Sequence, residues 1–242
     1  MAGFRDYIFD LYGTLADVHT DESPDAFWDD VAAFVGAFGV SYTGAALRAA
    51  YLRLCEDEVR LRCETLPDVP ETYIEPELRH VFVRLLKEGG ASGSETDAKR
   101  FAAYFRRRST LHLRPMPYAR ETLDVLRARG ARTFLLSNAQ ACFTWDELEA
   151  LGLKERFDGI LLSSDAGMKK PYRGIFRMLS ERYDIAPQTA LMIGNDAVAD
   201  IAGATRAGLK TAYLFTWQSG KRPRSLPKTC TEIPDLSALL SL

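Results

Sequence analysis

The segment YIFDLYGTL, from Tyr7 to Leu15, carries the strongest indication of the fold. Its first residues are apolar, and a short continuous apolar run is typical of a strand buried on both faces of a parallel sheet. The run stops at a carboxylate, Asp10, and a turn through Tyr12-Gly13-Thr14 follows. A strand that ends in an acidic side chain predicts a functional group at the carboxyl edge of a sheet.

Later short apolar runs are predicted to be further strands of the same sheet. They are Thr133–Ser137, Ile160–Ser163, Ala190–Ile193 and Thr211–Phe215. Segments with helical spacing of apolar residues precede and separate these runs, at Ala119–Arg129, Trp145–Leu151, Tyr172–Tyr183 and Ala197–Ala207. Strands that alternate with helices form right-handed crossovers, so the predicted fold class is α/β with a doubly wound parallel sheet.

A long segment between the first two strands breaks this alternation. From Val18 to Arg114 the sequence shows no strand-like run, and its apolar spacing predicts amphipathic helices. The predicted helices are Pro24–Phe38, Thr43–Arg62, Glu75–Lys87 with Pro76 in its first turn, and Glu95–Leu111. Because the insertion leaves from the sheet edge where ligands bind in such folds, we interpret it as a lid.

The predicted domains follow from this insertion. They are a core, residues 1–17 and 115–242, and an inserted helical cap, residues 18–114. Near the end of the core, the stretch Ser219–Pro234 is rich in Pro and Lys/Arg and is predicted to be a surface loop.

The composition excludes several classes of function. The formal net charge is −2, so no basic excess indicates a nucleic-acid surface. No apolar run approaches the roughly 20 residues of a membrane span, and no signal peptide is recognisable. The 4 cysteines form no CxxC pair, which favours reduced cysteines in a cytoplasmic protein. We therefore expect no nucleic-acid or membrane partner; a homodimer is compatible with the sequence, which gives no oligomeric state.

Polar residues accumulate where the predicted strands end. The first strand ends at Asp10, the second at Ser137-Asn138, and the fourth at Gly194-Asn195-Asp196, with Asp200 following on the next helix. Lys169-Lys170 comes shortly after the third strand. Because the carboxyl ends of parallel strands share one edge of the sheet, we expect these side chains to converge.

This set of residue types is suited to substitution at an anionic group. A carboxylate beside a lysine stays ionised and is a nucleophile that can form a covalent ester. Asp196 and Asp200 would repel Asp10 unless a cation lay between them, and Mg²⁺ suits an oxygen-rich site. Ser137 and nearby main-chain N–H groups are suited to holding substrate oxygens. Each residue alone also has a structural explanation, such as Asp196 capping the helix at Ala197, so the prediction depends on the ordered set.

Four segments, in this order, resemble the four motifs of the haloacid dehalogenase-like hydrolase superfamily. They are FDLYGTL, LLSNAQ, SSDAGMKKPYRGIF and IGNDAVADIAGATRAGLKT. The resemblance covers residues 1–17 and 115–220 and implies a Rossmann-like core. The helical insertion matches the C1-type cap of this superfamily in its position and helical character.

The resemblance also implies a role for each site residue. Asp10 is the implied nucleophile, Ser137 and Asn138 bind and orient the transferred group, and Lys170 stabilises the charged intermediate. The implied ligands of a Mg²⁺ cofactor are Asp10, the main-chain carbonyl of Tyr12, and Asn195 or Asp196. Asp196 and Asp200 resemble the acidic pair of the fourth motif, so Asp200 is a further candidate ligand. The implied substrate is a small anionic molecule.

Two positions depart from the pattern of the superfamily's phosphatases. Those enzymes usually have an aspartate two residues after the nucleophile, which protonates the leaving group and activates water, whereas this chain has Tyr12. A phenol, with an ordinary pKa near ~10, is a poor base at neutral pH. The tyrosine resembles the L-2-haloacid dehalogenases, which work without metal and usually lack an acid at the position of Asp196. Counted from Gly194, the usual metal-binding acid falls on Asn195; counted back from Asp200, it falls on Asp196.

The predicted function is a Mg²⁺-dependent phosphatase that acts on a small phosphorylated metabolite through an aspartyl-phosphate on Asp10. One alternative, favoured by Tyr12, is a metal-independent 2-haloacid dehalogenase that forms an aspartyl ester. Another, favoured by the missing second aspartate, is a non-catalytic ligand-binding homologue that keeps the fold.

Overall fold

The computed structural model describes residues 3–241, and a parallel sheet lies at its centre. Within these residues the strands are β1 (Asp6–Phe9), β2 (Ala16–Thr20), β3 (Thr110–Pro115), β4 (Arg132–Ser137), β5 (Gly159–Leu162), β6 (Ala190–Gly194), β7 (Lys210–Leu214) and β8 (Cys230–Ile233). The α-helices are α1 (Asp25–Gly36), α2 (Gly44–Thr65), α3 (Leu78–Glu88), α4 (Glu95–Ser109), α5 (Ala119–Ala128), α6 (Ala141–Ala150), α7 (Ser163–Ala166), α8 (Arg173–Tyr183) and α9 (Gly203–Arg206).

The central sheet has six strands in the order β5-β4-β1-β6-β7-β8, and every neighbouring pair is parallel. Strand β1 lies between β4 and β6, so Ile8 is paired with both Phe134 and Met192. Side chains of a strand alternate between its two faces. Phe9 belongs to the apolar cluster on one face and Ile8 to the cluster on the other. Helices cover both faces, which confirms the doubly wound, Rossmann-like α/β class.

The prediction of a surface loop over Ser219–Pro234 is wrong for part of that stretch. Residues Cys230–Ile233 form β8, which extends the sheet beside β7. Only Ile233 of this strand is buried. An edge strand with one fully buried side chain leaves no continuous apolar run, which is why the sequence did not indicate it.

Helices α1 to α4 lie between β2 and β3 and have an apolar cluster of their own. Aromatic side chains from all four helices meet in it, among them Phe27, Tyr51, Phe82 and Phe105. The prediction that Val18 to Arg114 contains no strand is wrong at both ends, because β2 and β3 pair as an antiparallel ribbon. The proposed division between core and cap falls inside this ribbon and stays a prediction.

The third helix of the insertion begins later than predicted, at Leu78. Pro76 precedes the helix, and the segment before it contacts the core. The main-chain N–H of Glu75 donates to the carbonyl of Gly167 at 3.0 Å. Gln140, just before α6, accepts from the N–H of Leu78 at 2.9 Å and donates to the carbonyl of Pro76 at 2.9 Å. These contacts fix the insertion against the loops that follow β4 and β5.

Helix α6 also connects the two parts through its apolar side chains. Phe143 of α6 packs into the cluster of the insertion, with ring centroids 6.0 Å from Phe82 and 6.2 Å from Phe105. Among the helices that the structure describes, none combines the length and the apolarity that a membrane span requires.

Candidate active site

Asp10 lies immediately after β1, in the middle of the carboxyl edge of the sheet. Its N–H still donates to the carbonyl of Ile193 at 2.9 Å, so the main chain is held by the sheet ladder. The chain then turns sharply, because the carbonyl of Leu11 accepts from the N–H groups of Thr14, Leu15 and Ala16. Gly13 adopts φ +83°, a conformation that favours glycine. The turn leaves Asp10 at the sheet edge with only 7% of its surface exposed.

Three side chains donate to the Asp10 carboxylate. Oδ1 accepts from Lys170 Nζ at 2.7 Å and from Ser137 Oγ at 3.1 Å, while Oδ2 accepts from Thr14 Oγ1 at 3.3 Å. The Oδ2 atom therefore has the weaker partner and keeps lone pairs for a further interaction. Thr14 was missed by the sequence reasoning, although it stands inside the first motif.

Lys170 is the most completely bonded cation of this group. Its buried Nζ donates to Asp10 Oδ1 at 2.7 Å, Asp200 Oδ1 at 2.7 Å and the carbonyl of Leu136 at 2.8 Å. An ammonium has three N–H donors, so all of them are satisfied. Burial alone would lower the pKa of Lys170, but the two carboxylates outweigh it and raise the pKa. The lysine is therefore charged at neutral pH.

Asn138 positions this lysine through its main chain. The N–H of Lys170 donates to Asn138 Oδ1 at 2.8 Å, and Asn138 Nδ2 donates to the carbonyl of Lys170 at 3.0 Å. The paired bonds join the ends of β4 and the loop after α7, so Asn138 fixes where the ammonium enters the site.

Asp200 lies beneath the site and is fully buried. Its Oδ1 accepts from Lys170, and its Oδ2 accepts from the N–H of Asp196 at 2.9 Å. Burial raises the pKa of the Asp200 carboxyl and Asp10 raises it further, against the lowering effect of Lys170. A Cβ on Gly194 would come within 2.2 Å of Asp200 Oδ2, so this close approach requires glycine.

Asn195 and Asp196 have separate positions. Asn195 is buried, and its Oδ1 lies 3.3 Å from Thr14 Oγ1, the same hydroxyl that contacts Asp10. Asp196 is exposed, and its Oδ1 accepts from the N–H groups of Val198 and Ala199 at 2.8 Å each. Asp196 thus caps the π-helical turn Ala197–Ala202, which is its structural explanation from the sequence. Of the two residues, Asn195 is the one beside Asp10.

Tyr12 contacts the core helix α6 and the insertion. Its hydroxyl donates to Glu147 Oε2 and lies 3.1 Å from Thr144 Oγ1. Arg106 of α4 donates to Glu147 Oε1 at 2.6 Å and stands over the Tyr12 ring at 5.7 Å. Burial and the charge of Glu147 raise the pKa of the phenol, so it stays protonated at neutral pH. The sequence did not indicate that Arg106 and Glu147 would meet Tyr12.

A cavity of about 550 Å³ opens beside these groups. Tyr12 and Asn138 line it on the side of the strand ends, and Arg106, Glu75 and Thr20 line it on the side of the insertion. His19, Trp217 and Gln218 also line it. Pockets of this size accommodate small molecules.

The structure brings four of the predicted site residues into one hydrogen-bonded cluster: Asp10, Ser137, Lys170 and Asp200. Asn138 and Asn195 adjoin this cluster, the hydroxyl of Tyr12 turns to α6, and Asp196 faces solvent. Among residues 3–241, no three His, Cys, Asp or Glu side chains form a group that could hold a metal ion. The catalytic and binding roles stay predictions.

Comparison with known proteins gives a consistent family. The family model described as haloacid dehalogenase-like hydrolase matches residues 7–208. The chain is 32% identical over 103 residues to glyceraldehyde 3-phosphate phosphatase of Pyrococcus furiosus, a match that covers 43% of each protein. It is 32% identical over 153 residues to phosphoserine phosphatase of Thermus thermophilus, covering 63% of this chain and 60% of that one.

Solved structures show the same fold over nearly the whole chain. The 2-haloacid dehalogenase of Pseudomonas syringae pv. Tomato DC3000 superposes with a TM-score of 0.65 over 98% of this chain and 97% of that one, at 22% identity. Since the identity is low, this likeness concerns the fold. The curated relatives named above match over only part of their length.

Proposed function

Because the chain belongs to the haloacid dehalogenase-like hydrolase family, we propose that it is a phosphatase acting on a small phosphorylated metabolite through a covalent intermediate on Asp10. The observation that supports this most directly is the Asp10 carboxylate, held at the sheet edge by Lys170 and Ser137. The relatives named as phosphatases support the same reaction class. A cytoplasmic location and a homodimer stay predictions.

The proposed reaction has two steps. A carboxylate oxygen of Asp10 forms a bond to phosphorus while the bond between phosphorus and the leaving oxygen breaks, and that oxygen takes a proton from water. A water molecule then attacks the aspartyl-phosphate, releasing inorganic phosphate and restoring Asp10. Lys170 and Ser137 stabilise the negative charge that develops on the transferred group. Asn138 positions Lys170 for this task.

The residues beside Asp10 fit a divalent cation bound through oxygen. Asp10 Oδ2 and Asn195 Oδ1 both lie 3.3 Å from the Thr14 hydroxyl, so a carboxylate and an amide oxygen share one small space. We propose that Asp10, Asn195 and the main-chain carbonyl of Tyr12 hold Mg²⁺, which prefers oxygen ligands and keeps several waters. When bound, the ion would add positive charge beside the transferred phosphoryl group. Asp200 would act through Lys170 instead.

Asn195→Asp is expected to tighten Mg²⁺ binding. The change adds a second carboxylate to a set that contains one, so we expect the dissociation constant to fall by about tenfold, or ~1.4 kcal/mol. Isothermal titration calorimetry with Mg²⁺ alone measures this without turnover. The matched variant Asp196→Asn should leave both Mg²⁺ affinity and stability unchanged, since asparagine caps a helix about as well as aspartate. A loss of Mg²⁺ affinity in Asp196→Asn would instead assign the metal to Asp196.

Tyr12→Asp is expected to raise phosphatase turnover. Acid catalysis typically contributes ~10²–10⁴-fold, and the Tyr12 phenol is committed to Glu147, so an added carboxyl should raise kcat by at least about tenfold. Tyr12→Phe is the control, because it removes the hydroxyl without adding an acid and should leave kcat near the wild-type value. Steady-state kinetics on the best phosphoester substrate measures both. A fall in kcat for Tyr12→Asp would contradict this role of the position.

The test of the reaction class is a panel of small phosphorylated metabolites assayed for phosphate release with Mg²⁺ and with a chelator. Turnover that depends on Asp10 supports the proposal. No turnover of any phosphoester or acyl phosphate, with Asp10→Asn identical to wild type, would reject it.

A metal-independent 2-haloacid dehalogenase is the second candidate, and the environment of Tyr12 favours it. Halide departure needs no proton, so a tyrosine that keeps its proton is no obstacle to that reaction. Asp10 would bond to C2 of the haloacid as the carbon–halogen bond breaks, and water would hydrolyse the ester. Release of halide from 2-chloropropionate in the presence of a chelator would decide for this activity.

A further inference from the structure

An exposed tryptophan lines the same cavity as Asn138. Trp217 is 60% exposed, yet its indole Nε1 donates to Asp17 Oδ1 at 3.1 Å. Asp17 is a buried carboxylate of β2 that also contacts His112 Nε2 at 3.0 Å and Arg114 at 2.7 Å. The orientation of the indole is thus set by a fixed acceptor, while the exposed side chain lines the cavity with the His19 and His112 ring centroids 6.1 Å from its own.

A buried acceptor without a partner lies beside this ring. Gln218 Nε2 donates to the carbonyl of Val18, which orients the side-chain amide. Its Oε1 atom is buried and has no hydrogen-bond partner among the described residues. Gln218 lines the same cavity as Trp217. A buried acceptor left without a donor is costly, so the position indicates a donor supplied by a bound molecule.

The turn that carries both residues is attached to the nucleophile loop. Thr216 Oγ1 donates to the carbonyl of Gly13 at 3.0 Å, and Asn195 Nδ2 lies 3.5 Å from the same hydroxyl. Thr216 and Ser219 also cap the short turn Trp217–Ser219 reciprocally. These bonds attach the turn that carries Trp217 and Gln218 to the loop that follows Asp10.

We propose that Trp217 and Gln218 bind the leaving group of the substrate, and that this group ends in a planar ring carrying an N–H or O–H donor, as a nucleoside does. This inference depends on the proposed phosphatase activity for its meaning. The ring stacks on the indole, its donor fills the vacant Gln218 Oε1, and the phosphate reaches Asp10 across the cavity. Binding of a remote ring also positions the ester, which partly offsets the missing acid at position 12.

The first experiment measures binding without turnover. Uridine and adenosine are titrated into the protein by isothermal titration calorimetry, whose signal does not depend on the tryptophan that the variants remove. Stacking on an aromatic side chain is strong enough that Trp217→Ala should weaken nucleoside binding about tenfold or more, with Trp217→Phe in between. Trp145→Ala is the matched control, since Trp145 is a partly exposed tryptophan of α6 that does not line this cavity. It should bind nucleosides like wild type.

The second experiment compares KM values for uridine 5′-phosphate, ribose 5-phosphate and phenyl phosphate. Gln218→Met keeps the length of the side chain without the amide, so it should raise KM for uridine 5′-phosphate and leave KM for phenyl phosphate, which has no ring donor, unchanged. Equal wild-type KM values for uridine 5′-phosphate and ribose 5-phosphate, with no nucleoside binding, would overturn the inference while turnover still supported the phosphatase. Nucleoside binding that requires Trp217, without hydrolysis of any phosphoester, would support the ring site and reject the phosphatase.

Discussion

Asp10→Asn is expected to lower kcat by about 10⁴-fold or more, because removing a nucleophile from a site that works as a unit leaves only binding and charge stabilisation. The variant should fold normally. An asparagine oxygen can still accept from Lys170 and Ser137, and Lys170 keeps its bond to Asp200. Steady-state kinetics gives the fall in kcat, and circular dichroism verifies the fold.

The matched control for this prediction is Asp196→Asn, which makes the same chemical change at an exposed cap one loop away. We expect it to keep kcat within about threefold of wild type, because Asp196 lies outside the group of residues that acts on the substrate. Beryllofluoride should bind wild type and Asp196→Asn but not Asp10→Asn. If Asp10→Asn kept more than about a hundredth of the wild-type kcat, the nucleophile would have to be another residue.

Lys170→Met should produce the largest loss of stability of any single substitution in the site. It leaves the buried Asp10 and Asp200 carboxylates without their shared cation, and breaking a buried pair in this way typically costs about 3–5 kcal/mol. Activity should disappear with it, since the lysine also stabilises the charged intermediate. Chemical denaturation measures the free energy of unfolding. Lys169→Met removes the neighbouring, half-buried charge and should cost less than about 1 kcal/mol.

The loss should depend on pH. Because the pKa of Asp200 is higher in the folded than in the unfolded protein, the folded state holds a proton that the unfolded chain has released between these two values. The contribution of Asp200 to the free energy of unfolding is therefore fully present below its pKa in the unfolded chain, and it is lost as pH rises through its pKa in the folded protein. Without Lys170 the pKa of Asp200 in the folded protein rises further. The loss in free energy of unfolding caused by Lys170→Met should therefore be smaller at about pH 5 than at about pH 8. An equal loss in free energy of unfolding at both pH values would contradict this explanation.

Much of the site could be predicted from the sequence because its members follow successive parallel strands. Asp10, Ser137 and Asn195 stand directly at strand ends, and a parallel sheet brings such positions to one edge whatever their separation along the chain. The choice between Asn195 and Asp196 could not be made from spacing. It depends on the turn after β6, which points the Asp196 side chain to its own helix and leaves Asn195 beside Thr14.

Contacts between the insertion and the core could not be predicted in the same way. Tyr12 and Glu147 are 135 positions apart, and Arg106 reaches them from a helix whose register against α6 no local pattern records. Strands β2, β3 and β8 were missed because they are short and partly exposed, so their apolar residues do not form a run. That Gln218 Oε1 has no hydrogen-bond partner among the described residues is likewise visible only in the three-dimensional structure.

The packing of Phe143 has a consequence for how a substrate enters. If the insertion pivoted away from the sheet, this ring would leave the aromatic cluster of Phe82 and Phe105 and meet water. Exposing one buried phenylalanine costs about 1.5–3 kcal/mol, which alone disfavours a wide-open form by roughly ten- to a hundredfold. Substrates should therefore reach Asp10 through the cavity beside Tyr12 and Asn138 without a wide opening of the insertion, and a cavity of about 550 Å³ suits small metabolites better than phosphorylated proteins.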